Sequence, residues 1–491
     1  MRLPIEILVA LLLAEFLQAP GFLMPANGWT IAGGAAAMAA ACWLFPRLTW
    51  AILGRRLARD PGALLPVYEA HADWLTVARC LSVALYALFL WATGWSALVV
   101  AEEGLDAGAT VIGDDLLQIL PFLLASAALW VGDYPAVRGL HPADWSLGEY
   151  LRHQARGWWL LLAPWLAMTA FFDSRRYWPW GLRELFTEHW SAELALTILV
   201  FAAALVFFPA YLVRLWPPRR LPDGELRSRL EALLARAGVR CREMVVWSTG
   251  RGRLPNAAVM GVVAPLRYVA FTDALLAELA PEEIEAVLAH EAGHVRHQHI
   301  GFYTFFAAAF MALGLGVIAL LPESMTGENA AQKDQLAVAA ILVALTVFYW
   351  RYVFGFLSRR FERQADAAAC ELLGASAPLV SALEKLAAVA GAPRGASSWR
   401  HYSIAERVAF LARASADSGV IPGHHRHVRR VKLVTALVLL AALAAAAAGI
   451  AWRLAGDNSP EGRATGCQTA GSGLTYVRAA RRFAPMKGKP P

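Results

Sequence analysis

Apolar runs long enough to cross a hydrocarbon layer alternate with short charged loops, and this constrains the fold more than any other feature of the chain. A spanning helix needs about 18 or more predominantly apolar residues. Candidate runs lie near 5–23, 29–45, 80–101, 116–131, 157–172, 194–213, 302–321, 336–356 and 433–452. Two of them, 116–131 and 157–172, are short and contain Pro121 or Pro164, so kinked or re-entrant segments are expected there. The chain is 58% hydrophobic and only 17% charged, which excludes an ordinary soluble protein of 491 residues. The expected fold is mainly α, a polytopic helical membrane protein with about seven to nine spans.

Two stretches depart from this pattern, at about 217–300 and 358–430, and read as soluble chemistry. They are expected to make one domain. "LPDGELRSRLEALLARAG" has helical apolar spacing and stops at Gly238. "EMVVWST" and "LRYVAFTD" are rich in β-formers and bracket "LPNAAVMGVVAP", which predicts two or three short strands. "PEEIEAVLAHEAGHVRHQH" opens with proline and acids, as a helix N-terminus does. The predicted organisation is therefore an N-terminal transmembrane region over 1–216 with about six spans. A domain follows over 217–430, interrupted by spans at 302–321 and 336–356, then a C-terminal span at 431–452 and a disordered tail at 453–491.

The net charge of +7 comes from arginines scattered over interhelical loops, which points to anionic lipid rather than nucleic acid as partner. Arg47, Arg55, Arg56 and Arg59 follow the second run, and Arg138, Arg152 and Arg156 follow the fourth. "AEEGLDAGATVIGDD" has no basic residue and "PESMTGENAAQKD" only Lys333. By the positive-inside rule both soluble pieces lie on the cytoplasmic side, although "DSRRYWPWGLRELF" conflicts with that count. A composition heavy in Ala, Arg and Gly points to a bacterium, hence to its inner membrane. Five separated cysteines form no CxxC pair and read as buried, reduced thiols.

Chemistry concentrates in "HEAGHVRHQH". His290 and His294 stand one helical turn apart and can bind one Zn²⁺ from a single face, with Glu291 placed to take a proton from a water there. A catalytic zinc needs a third protein ligand and an open position. Glu362 and Asp366 share a helix face in "SRRFERQADAAACELLG", so either carboxylate can bind zinc while the other accepts a ligand histidine's N–H. An exposed face with ordinary ion pairs is the competing reading. His297 and His299 read as helix-surface residues, with His299 directed away from the pair.

These elements, in this order, resemble the membrane-integral zinc metallopeptidases that include the HtpX protease and the CAAX prenyl endopeptidases. "HEAGH" matches the zinc helix, "SRRFERQAD" looks like S-R-x-x-E-x-x-A-D, and "LPNAAVMG" like N-A-x-x-x-G. "RHYSIAERVAFL" is similar to the family's S-x-H-P-x-x-x-E-R-I-x-x-L, with Tyr402 where the family usually has proline. The resemblance covers roughly 220–415. It implies a zincin-like (gluzincin) catalytic domain with a short β-sheet, one Zn²⁺ per chain, and protein or peptide substrates. It makes Glu362 the third ligand and Asp366 the partner of a ligand histidine. It gives His401 a catalytic role at the oxyanion and Arg407 and Asn256 roles in binding substrate, Asn256 by opening an edge strand. The implied function is a membrane-bound zinc metalloendopeptidase acting on membrane-associated or misfolded proteins. A CAAX-type prenyl endopeptidase, and a non-catalytic transporter or receptor with a structural zinc site, are the alternatives. The sequence leaves oligomeric state open.

Overall fold

A computed structural model describes residues 5–16, 27–100, 111–140, 146–182, 185, 190–248, 255–326, 332–389, 394–395 and 399–457. The chain divides into two compact units, Met1–Trp178 and Pro179–Pro491.

The first unit is helical: α1 (Ile5–Phe16), α2 (Gly28–Arg59), α3 (Leu64–Thr93), α4 (Trp95–Val100), α5 (Gly113–Leu140) and α6 (Leu147–Asp173). The two short runs are parts of long continuous helices, since α5 and α6 carry Pro121 and Pro164 without interruption. The neighbouring helices and the apolar setting hold these helices across the lost hydrogen bond. Tyr86, Phe122, Ile119 and Leu129 fill the core between α3 and α5. Of the first predicted run, α1 supplies only 12 helical residues and 17–23 lie outside the described residues.

The second unit begins with α7 (Trp190–Leu215), β1 (Arg219–Arg220), α8 (Glu225–Arg236), β2 (Glu243–Trp247), β3 (Ala257–Met260), β4 (Tyr268–Thr272), α9 (Asp273–Glu278) and α10 (Pro281–Arg296). It continues with α11 (His299–Leu320), α12 (Glu323–Thr326), α13 (Gln332–Val347), a π-helical stretch Phe348–Phe354, and α14 (Gly355–Leu373). α15 (Ala377–Val389), α16 (Ile404–Ala416) and α17 (Val420–Asp457) complete it. The tail expected to be disordered starts as the end of α17, and 458–491 lie outside the described residues.

Seven helical segments among the described residues are long and apolar enough to cross a membrane. Three belong to the first unit (Gly28–Arg59, Pro66–Thr93, Gly113–Leu140) and four to the second (Ala195–Leu215, His299–Ile318, Ala340–Leu373, Val420–Gly449). The 157–172 run is not among them. The expectation of buried thiols holds for Cys42, whereas Cys80 is exposed and Cys467 lies outside the described residues.

The β-formers of the second unit make a four-stranded sheet in the order β1-β2-β4-β3. β2 and β4 run parallel with Val245 opposite Ala270, and β3 closes antiparallel on β4 with Val259 opposite Val269. β3 is therefore an edge strand. Helix α10 starts at Pro281, and its Glu283 carboxylate accepts the Ala280 N–H at 2.8 Å. The same carboxylate takes Lys385 and Ser381 from α15, at 2.8 and 2.6 Å. Ile284, Leu288, Ala289 and Ala292 of α10 enter the core with Val269 and Phe271 of β4 and Leu379 and Leu383 of α15.

A second core joins α11, the π-helical stretch, α14 and α17 through Phe306, Tyr349, Phe354, Leu357, Phe361 and Val428. Phe306 and Tyr349 stack at 4.0 Å, and the Tyr349 hydroxyl donates to Phe306 O at 2.7 Å. This core fixes α14 against α11, whose start follows the histidine helix by three residues.

Candidate metal and catalytic site

His290 and His294 on α10 and Glu362 on α14 come together across two helices separated by α11 and α13. The His290 and His294 Nε2 atoms are 3.3 Å apart, and each lies 3.6 Å from an oxygen of Glu362. Ligand atoms about 2.1 Å from a tetrahedral ion stand about 3.4 Å from one another. Two imidazoles and one carboxylate at this separation fit a divalent metal ion.

The other nitrogen of each histidine is held as well. Asp366, fully buried, sits 2.8 Å from His290 Nδ1 and receives Arg407 through Nε at 2.9 Å and Nη2 at 2.6 Å. Glu362 and Asp366 lie on one face of α14 as their spacing requires. His294 Nδ1 lies 3.0 Å from Nδ1 of His299, whose Nε2 meets Gln364 Oε1 at 2.8 Å. Fixing the distal nitrogens turns both Nε2 atoms toward a common centre.

The position of His299 corrects the expectation of a surface residue: it is fully buried and stacks on Phe361 at 4.3 Å. The cause is local. Gln298 adopts φ +55°, a left-handed turn that ends α10, so α11 starts in a new direction and brings His299 back over His294. His297 follows the expectation only in part, being half-buried with its ring 4.6 Å from that of His425.

Glu291, next to His290 on α10, accepts the Val259 N–H at 3.1 Å, which ties it to the edge strand β3. Burial lifts its carboxyl above the ordinary range. Burial pulls His290 down, but hydrogen bonds to Asp366 and Glu362 outweigh it and raise the ring to about 10. His294 is pushed down to about 4 by burial. The carboxylates thus make the centre favour positive charge, which a divalent cation supplies.

Ser403 and Glu406 form a reciprocal cap at the start of α16, with hydrogen bonds of 3.2 and 2.9 Å. This cap sets His401 just before the helix and Arg407 one turn inside it. His401, half exposed, has Nδ1 3.1 Å from Glu362 Oε2. Tyr402 covers the Arg363 guanidinium at 4.0 Å, which fastens the His401 segment to α14. Arg407 is engaged by Asp366. Asn256 lies at the exposed start of β3; its N–H donates to Thr272 Oγ1 at 2.9 Å, and its carbonyl accepts the Thr272 N–H at 2.9 Å.

Residues 220–438 match the model of Peptidase family M48. The chain carries an M48 peptidase domain. This M48 domain accounts for similarity to Protease HtpX homolog 1 of Streptomyces coelicolor, 30% identical over 210 residues, 40% of this chain and 66% of that one. CAAX prenyl protease 1 homolog of Dictyostelium discoideum is 28% identical over 207 residues, 39% of this chain and 47% of that one. The crystal structure of S. mikatae Ste24p overlaps with a TM-score of 0.49 at 18% identity, covering 77% of this chain and 98% of that chain. The chain spans about half to two thirds of the length of the curated relatives it matches. The M48 match begins within β1 and ends within α17, so α10, α14 and α16 all lie inside it.

Proposed function

We propose that this protein is a membrane-bound zinc metalloendopeptidase that cleaves membrane-associated or misfolded proteins at the cytoplasmic face of a bacterial inner membrane. The convergence of His290, His294 and Glu362 beside Glu291, which is tied to the edge strand β3, carries the reading. His290, His294 and Glu362 would hold the ion, and Asp366 and His299 orient the two imidazoles. Zn²⁺ bound there supplies a Lewis acid that brings the pKa of a water toward about 7 and polarises a carbonyl.

Glu291 accepts the proton of the attacking water and passes it to the leaving amine, a task its raised affinity for protons suits. The edge of β3 pairs with an extended substrate backbone, with Asn256 at its opening, so that many sequences are gripped through main-chain atoms. His401, beside Glu362 and open to solvent, is placed to donate to the oxyanion. Arg407 acts through Asp366 on His290.

Glu291→Gln is expected to retain zinc and to lose casein hydrolysis by about 10²–10⁴-fold. Wild-type protein that holds zinc and cleaves no peptide supports the structural-site alternative instead. Similarity to a protein named CAAX prenyl protease 1 homolog keeps a second substrate class in view. Selective cleavage of a prenylated peptide over its unmodified form assigns that class.

A further inference from the structure

Beside the metal centre, two cavities meet at the level where two apolar helices begin. One, of about 380 Å³, is lined by Arg296, Arg426, Arg429 and Lys432 together with His425 and Gln364, and its lining contains no acid. The other, of about 430 Å³, shares Gln298 and Lys432 with the first and is otherwise walled by Val262, Val295, Ile300, Gly301 and Phe302 and by Arg267, whose guanidinium is taken up by the carbonyls of Arg240, Gly261 and Val262. Lys432 sits at the junction: its ammonium donates to His297 O and lies 4.7 Å over the Phe361 ring.

The surrounding helices fix what can occupy this pair. Lys432 is the last charged residue of α17 before the apolar run that starts at Leu433, and α11 turns apolar directly after His299. Leu433, Val434, Leu437 and Val438 of α17 are exposed, an apolar face with no covering element among the described residues. A basic cavity and a mainly apolar one thus adjoin through Gln298 and Lys432, and the uncovered apolar face of α17 begins at the next residue, Leu433. A soluble anion satisfies only the first of them. Glu371 pairs with Arg296 at 3.9 Å and His425 at 3.4 Å, which leaves the charges of Arg426, Arg429 and Lys432 in excess. His297 Nε2 is buried with no hydrogen-bond partner among the described residues.

We propose that this pair of cavities binds one anionic phospholipid, its phosphate held by Arg426, Arg429 and Lys432 and its glycerol and upper acyl chain against Val295, Ile300 and Phe302. Gln364, on the wall of the phosphate cavity, also holds His299, so the lipid site stands two hydrogen bonds from His294. The proposal does not rest on the protease reading, because lipid binding is measured without turnover.

The test uses full-length protein in phosphatidylcholine nanodiscs containing a minor fraction of phosphatidylglycerol, with retained lipid counted by native mass spectrometry. The double variant Arg426→Gln with Arg429→Gln is compared with Arg240→Gln plus Arg242→Gln, an equal charge loss on the exposed loop between α8 and β2. All four arginines are exposed, so both variants should melt like wild type in phosphatidylcholine alone. The first pair should weaken phosphatidylglycerol retention about thirtyfold, at roughly fivefold per arginine, while the second leaves it unchanged. Equal loss in both variants, or no loss in either, overturns the site. Displacement of the lipid by millimolar inorganic phosphate overturns the lipid as its ligand.

Discussion

His299 holds His294 by the nitrogen that does not face the metal centre, as Asp366 holds His290. Partners of this kind fix ring orientation, and their loss typically weakens metal affinity about 10–100-fold. His299→Ala and Asp366→Asn are each expected to fall in that range in a chelator competition assay, while His297→Ala, one position from the turn, should leave affinity unchanged. Wild-type affinity in His299→Ala would remove that residue from the site. The contrast also marks what the sequence disclosed. Two histidines four apart on a helix, and two carboxylates four apart on another, have their facing set by the 3.6-residue repeat, so His290, His294, Glu362 and Asp366 were legible. His299 was not, because that arithmetic assumes a continuing helix and the helix ends at Gln298. The warning sign was faint: a glutamine, unlike glycine or asparagine, gives little notice of a left-handed turn.

The contact between α10 and α14 brings the ligands to the right separation, and Gly293 sets its closeness. A Cβ there would stand 3.0 Å from Ala368 Cβ, 3.1 Å from Ala365 Cα and 3.2 Å from Ala365 O. Alanine at 293 needs a few tenths of an ångström from a helix backbone, and valine needs more. Gly293→Val should therefore destabilise the domain by about 1–3 kcal/mol. It should also weaken zinc binding more than Ala382→Val, a core change in α15 away from the ligands. Unaltered zinc affinity in a stably folded Gly293→Val would show that the helix pair does not set the ligand spacing. At this scale the apolar runs announced their helices, and Val, Tyr and Phe in "EMVVWST" and "LRYVAFTD" announced the sheet. Helix lengths were less visible, since the short runs around Pro121 and Pro164 read as kinked or re-entrant segments yet lie inside the long continuous α5 and α6. Sequence cannot show which neighbours support a helix through a missing N–H.

At the scale of the molecule, the site exists because the chain leaves and returns between its two halves. If α11 and the α13–α14 segment each cross the bilayer, the turn near α12 must face the side opposite the M48 domain. Ser324→Cys should then react with a membrane-impermeant maleimide in intact cells above the native-cysteine background, and Ser228→Cys only after lysis. Labelling of Ser228→Cys alone from outside reverses the orientation, and labelling of both or of neither before lysis denies the crossing. The returning segment passes through the π-helical stretch Phe348–Phe354 before α14 begins. Each residue of an α-helix turns the chain by about 100°. The extra residue of a π turn therefore sets the rotational phase in which α14 begins. Removing one residue from 348–354 should leave a crossing of nearly unchanged length whose carboxylates face the wrong way. Such a protein would insert and fold with its zinc ligands out of phase, like a key cut correctly and turned a quarter too far.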